Sequence, residues 1–173
     1  ALHPFQNSPA MTTANLSHEQ IATQVRQWLE TLVIGLNLCP FAKRELVKNW
    51  VRFAVTEADD EEQLLEVLAE ELKRLETTPD IETTLLIHPR VLADFFDYTR
   101  FLLRADRLLS QLKFRGQFQI ASFHPDYEFA YGATDDLGNY TNRSPYPILH
   151  LLREDSLEQV IAKDPLHGDY GVG

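Results

Sequence analysis

Two histidines stand just before prolines at the ends of short apolar runs: His88-Pro89 after TTLLI, and His124-Pro125 after FQIASF. An imidazole near its ordinary pKa is the side chain best suited to take or give a proton at neutral pH. His124 is the stronger base candidate, because Asp126 is near enough in sequence to orient it. The chain has a single cysteine, Cys39, followed by Pro40. A thiol at a helix N-cap is acidified by the helix end, with Lys43 or Arg44 one turn on to help. Cys39 with His124 and Asp126 would make a nucleophile, a base and its orienter. The blander reading of Cys39 is a small buried hydrophobe between Leu38 and Phe41. Asn139 to Ser144 and Tyr146 form the densest hydrogen-bonding stretch, with Arg143 as a rigid fork for carboxylate or phosphate. Asn142, Arg143, Ser144 and His88 are the ligand-binding candidates. His150 alternates away from Leu149 and Leu151 and reads as a core or edge histidine.

Metal chemistry has ligand types but no spacing. His88, His124, Asp126 and Cys39 are of the right kind, yet no HExxH, CxxC or calcium-loop pattern occurs, so no metal site is assigned. A P-loop and a dinucleotide glycine fingerprint are absent; the seven glycines are scattered, and no cofactor follows.

These residues need strands and helices to bring them together. Ser17-x-x-Gln20 is a capping box, with Leu16 and Ile21 spaced as a hydrophobic staple. Ile21, Val25, Trp28, Leu29, Leu32, Val33 and Leu36 then repeat at helical period. Pro40 begins a short helix over 40–48. Val51, Phe53 and Val55 alternate as a strand. Asp59-x-x-Glu62 caps a second long helix, and its acidic run, Glu57 to Glu71, reads as a solvated face. TTLLIH is a buried strand, and a third long helix follows with Leu92, Phe95, Phe96, Thr99, Leu102, Leu103, Leu109 and Leu112 on its buried side. Residues 117–123 and 148–153 complete four strands, and Ser156-x-x-Gln159 caps a last short helix. Strand and helix alternate through the first three strands, so crossovers place those three in one direction. The fold class is α/β, or α+β if the fourth strand runs antiparallel: one domain with a mostly parallel or mixed four-stranded sheet. Both His-Pro pairs then lie at the C-terminal rim, where open sheets of this kind place ligands. The connection from His124 to Pro147 has no period but is rich in aromatics, so it reads as a folded, functional loop.

Composition sets the outer bounds. The chain has 173 residues, a net charge of −10 and no clustered Lys/Arg run, which argues against nucleic acid or an anionic membrane as partner. One cysteine allows no intramolecular disulfide and fits a reducing, cytoplasmic setting. No apolar run is long enough to span a bilayer. Residues 1–10 precede Met11 and read as an expression remnant, 11–163 as the domain, and 164–173 as a loose tail.

Four strings carry a resemblance: VIGLNLCPFAK, ETTLLIHP, QIASFHPDYEFA and NYTNRSPYPILHLLRE. In them the chain resembles a bacterial family of small single-domain proteins of unknown function, over Ser17 to Ile161. The resemblance implies a bacterial source and no particular activity. The tail after Ala162 departs from the helical ending it implies. The expectation is a small cytoplasmic enzyme acting on a small anionic molecule, with a Cys/His site under the long loop. A non-catalytic small-molecule or protein-binding module and a metal-dependent hydrolase are the alternatives, and a homo-oligomer is left open.

Overall fold

The computed structural model describes residues 16–35, 50–128 and 142–155. Cys39, the helix expected over 40–48, the middle of the long loop, the last helix and both terminal segments lie outside the described residues. Within them, α1 (His18–Gly35), β1 (Val51–Val55), α2 (Glu61–Thr77), β2 (Thr83–Ile87), α3 (Phe95–Gln111), β3 (Phe118–Phe123) and β4 (Ile148–Arg153) follow in order. The sheet order is β1-β2-β4-β3. β1 and β2 pair in parallel, while β4 is antiparallel to both β2 and β3. β1, β2 and β3 therefore run the same way, as the crossovers require, and β4 fills the gap between β2 and β3. The fold is a single-domain α+β architecture on a mixed sheet.

Alternation along β2 sorts the core into two layers. Leu86 packs with Leu64, Leu68, Leu72, Tyr98 and Phe101 under α2 and α3. Leu85 and Ile87 turn the other way, to Ile21 and Val25 of α1. α1 opens with the expected box: Gln20 N–H donates to Ser17 Oγ at 3.1 Å, and Ser17 N–H to Gln20 Oε1 at 2.8 Å. The α2 cap falls one residue later than expected, at Asp60, whose carboxylate accepts from Gln63 N–H at 2.8 Å.

Two helix faces depart from the sequence reading. Glu71 is buried at 6 % exposure, not solvated, and holds Arg52 of β1 bidentately at 2.8 and 3.1 Å. The hydrogen bond and the carboxylate charge raise the Arg52 pKa against the effect of burial. On α3 the buried face is Tyr98, Phe101, Ala105 and Leu109, while Phe96 and Leu103 are 69 % and 64 % exposed. Of the expected face, Leu92 and Leu109 are buried and Phe95, Leu102 and Leu112 pack against the core, while Phe96, Thr99 and Leu103 are exposed, so the buried stripe is offset from the expected one by part of a turn.

Arg153 at the end of β4 ties the sheet to the far end of α2. Its guanidinium donates to Leu75 O (2.7 Å), Thr78 O (3.1 Å) and Ile81 O (2.7 Å) and lies over the Phe118 ring. A cation on the last carbonyls of a helix opposes the dipole and satisfies orphan acceptors. Arg153→Met, which keeps the stem, is expected to cost about 2 kcal/mol in urea unfolding. A change below about 0.5 kcal/mol would show that water replaces these bonds at no cost.

Candidate functional site

The two His-Pro pairs lie where the crossovers put them. His88 follows β2 and His124 follows β3, at the same rim, and both are fully buried. Each continues its strand by a backbone bond: His88 N–H to Pro147 O at 3.1 Å, and His124 N–H to Asn142 O at 3.1 Å. The strand alternation turns both rings toward the N-terminal end of α3. There they flank Tyr98, with ring centroids 5.9 Å (His88) and 4.9 Å (His124) from it.

Their hydrogen bonds fix what each imidazole can do. His88 Nδ1 lies 3.0 Å from Val91 O. A carbonyl only accepts, so Nδ1 carries the proton and Nε2 is a bare lone pair. Nε2 is buried and has no hydrogen-bond partner among the described residues. Burial pushes the His88 pKa down to about 4; the Val91 bond opposes this and nearby His124 adds to it. His88 is thus neutral at pH 7. His124 is occupied on both sides: Nε2 donates to Leu92 O at 3.0 Å, and Nδ1 accepts from Asp126 N–H at 3.0 Å. Asp126 does orient His124, but through its backbone; the residue itself is exposed. In this geometry a proton can reach His124 Nδ1 only by displacing that N–H.

The turn between β2 and α3 is shaped to meet both rings. Val91 O and Leu92 O each take an imidazole proton. Leu92 has φ of 65°, a left-handed conformation that costs a residue with a Cβ about 1–2 kcal/mol. Strain of this kind persists where surrounding contacts over-determine it, and it collects at functional sites. Tyr98 binds the rim together from below. Its hydroxyl donates to Ile148 O at 2.6 Å and accepts from Phe123 N–H at 3.1 Å. Burial pushes its pKa up. Tyr98 is absent from the sequence reading; the only available signal was its place four residues after the Asp94 cap, on the helix face toward the sheet.

The loop's two ends are tied to each other here. Tyr127 N–H donates to His124 O at 3.2 Å, and Arg143 Nε donates to Tyr127 O at 3.0 Å. Asn142 contributes its carbonyl to His124. Ser144, 4 % exposed, gives its hydroxyl to Tyr146 O at 2.5 Å and so shapes the turn. Tyr146 in turn bonds Gln24 of α1. His88, His124, Asn142 and Arg143 thus share one rim, while Cys39 lies outside the described residues. His150 stays apart, on the α1 face, as its alternation requires. Its Nε2 meets Thr83 Oγ1 at 2.9 Å, its ring stacks on Phe123, and burial lowers its pKa to about 4.

Among the described residues no group of three or more His, Cys, Asp or Glu side chains is placed to hold a metal ion. Beside the site, Leu16, His18, Thr56, Glu57, Pro89 and Arg90 line a cleft of about 50 Å³, room for little more than water. No helix of the described residues is long and apolar enough to cross a membrane.

A family model described as "Protein of unknown function (DUF1415)" matches residues 20–169. No curated protein and no solved structure matches the chain.

Proposed function

We propose that this chain, which belongs to the DUF1415 family of proteins of unknown function, is a small cytoplasmic enzyme that binds an anionic small molecule at the C-terminal rim of its sheet. The observation that supports this reading is His88 Nε2, a neutral, buried acceptor with no partner among the described residues. Buried polar atoms are nearly always paired, so an orphan at a strand end asks for a donor. Arg143 at the same rim supplies the cation for an acid group. A ligand that suits both carries a hydroxyl or N–H beside a carboxylate or phosphate. His88 then accepts a hydrogen bond and orients the molecule; its low pKa makes it a poor proton acceptor. Cys39 is the nucleophile in this reading. The single cysteine also underlies the cytoplasmic assignment, and the family resemblance underlies a bacterial source.

A second reading, a non-catalytic binding module, is favoured by His124 and Ser144. Both spend their polar atoms on backbone, which organises the loop rather than a reaction.

Thermal unfolding with phosphate, glycolate or glycerol phosphate tests the site. At ten times its Kd, a ligand stabilises the fold by about 1.4 kcal/mol. A rise in Tm that Arg143→Gln and His88→Gln each abolish is expected; no shift with any of the three would overturn the reading. Iodoacetamide at neutral pH then separates the two readings. Fast modification of Cys39 in the folded protein, slowed by the same anion, supports the enzyme. Modification only on unfolding leaves the binding module.

A further inference from the structure

Away from the rim, a groove of about 360 Å³ runs between α3 and β3, at the end where β3 begins. Its floor is apolar. Leu109 and Phe118 are buried in the core, and Leu102 and Ile120, half-buried, extend the same surface to solvent. Leu102 and Leu109 stand seven residues apart on one flank of α3. At ~1.5 Å of rise per residue they span about 10 Å. Small-molecule sites share this build: a concave apolar surface with a few polar groups at its margin.

The charges at the margin do not cancel. Asp106, Arg115 and Glu154 line the groove. Arg115 is spent: its guanidinium donates to Asp106 Oδ2 at 2.5 Å, and its Nε to Ser110 Oγ at 2.7 Å. Arg153, next to Glu154, gives its guanidinium to Leu75 O, Thr78 O and Ile81 O at the end of α2. The Glu154 carboxylate makes no ion pair among the described residues. Its backbone is nonetheless fixed, because Glu154 N–H donates to Gln117 O at 3.0 Å and holds the residue beside the groove. The residue is half-buried, so solvent screens its charge less than that of a fully exposed acid.

We infer that this groove binds a small amphiphilic amine, with an alkyl or aryl body on Leu102, Leu109, Phe118 and Ile120 and an ammonium on the Glu154 carboxylate. The charge count selects the head group. With Arg115 neutralised by Asp106, Glu154 attracts a cation and repels a carboxylate or phosphate. A hydroxyl forms a bond charged on one side only, weaker than that of an ammonium. The floor selects the body, since apolar surface removed from water on both partners drives association. The groove is separate from the rim: Phe118 opens β3 and His124 follows its far end, about 20 Å away along the strand. The inference therefore does not rest on the ligand reading of His88.

Hexylamine, hexanol and hexanoate share one chain and differ in head group. Methyl-resolved NMR of the full chain, titrated with each, reads the site. Hexylamine is expected to move the methyl signals of Leu102, Leu109 and Ile120 and to bind about fivefold tighter than hexanol, the scale of one ion pair in contact with water. Hexanoate should bind weakest at these methyls, whatever it does at the rim. Glu154→Gln should bring hexylamine down to the affinity of hexanol, and Glu154→Lys should reverse the order of hexylamine and hexanoate. Thermal unfolding checks that both variants fold. Three results would overturn the inference: no shift of these methyls with any of the probes at millimolar concentration, equal affinities for hexylamine and hexanol, or a preference for hexylamine that survives either substitution.

Discussion

Between pH 7 and pH 4 the fold is expected to lose about 5 kcal/mol of stability through two histidines. His88 and His150 each titrate near 4 in the fold, against 6.5 for an unperturbed imidazole, and burial is the first cause for both. Below 6.5 the unfolded chain takes up protons at these positions while the fold does not, so stability falls with pH. The loss ends near 4, where the folded rings protonate as well. At 1.36 kcal/mol per decade each ring contributes about 3 kcal/mol at most. His150 is the less enclosed of the two, so its share is smaller. Typical domains hold ~5–15 kcal/mol, so this loss takes the protein close to unfolding. Urea titrations at pH 7, 5.5 and 4.5 read it directly. Equal midpoints and slopes across that range would mean that the rings are solvated.

Tyr98→Ala is expected to cost about 5 kcal/mol, the largest effect of any single change proposed here. The ring fills the space between His88, His124 and Phe95, and the hydroxyl joins the start of β4 to the end of β3. Tyr98→Phe separates the two contributions. It keeps the ring and leaves Ile148 O without the donor that Tyr98 supplied, at about 2 kcal/mol. Both values come from urea unfolding at pH 7, away from the histidine titrations. If Tyr98→Phe were neutral, the hydroxyl would be dispensable and the ladder bonds of β3 and β4 alone would hold the rim.

The rim was legible in the sequence because it depends on strand direction. Crossovers align β2 and β3, and the same dipeptide ends both, so His88 and His124 had to meet at one edge of the sheet. β4 was legible as a strand, but not its place between β2 and β3, because a long connection sets no direction. What each imidazole bonds was hidden for another reason. Val91 O and Leu92 O are backbone atoms, and backbone leaves no mark on residue type. Asp126 shows the same limit: its position is right, yet its N–H, not its carboxylate, meets His124. Tyr98 was missed because the stripe drawn through the leucines and phenylalanines of α3 passes beside it, while the buried face runs through Tyr98, Phe101, Ala105 and Leu109. Glu71 was missed because one buried acid among many solvated ones does not alter the helical pattern.

The open nitrogen of His88 is the point from which the proposed ligand site is built. Long-range proton–nitrogen NMR on protein labelled at histidine reports each ring nitrogen separately. At pH 7, His88 should show a protonated Nδ1 and a bare Nε2, and titration with glycolate or phosphate should move Nε2 of His88 while both nitrogens of His150 stay fixed. A proton on His88 Nε2, or an Nε2 signal unmoved by any anion that raises Tm, would contradict a ligand site at this rim.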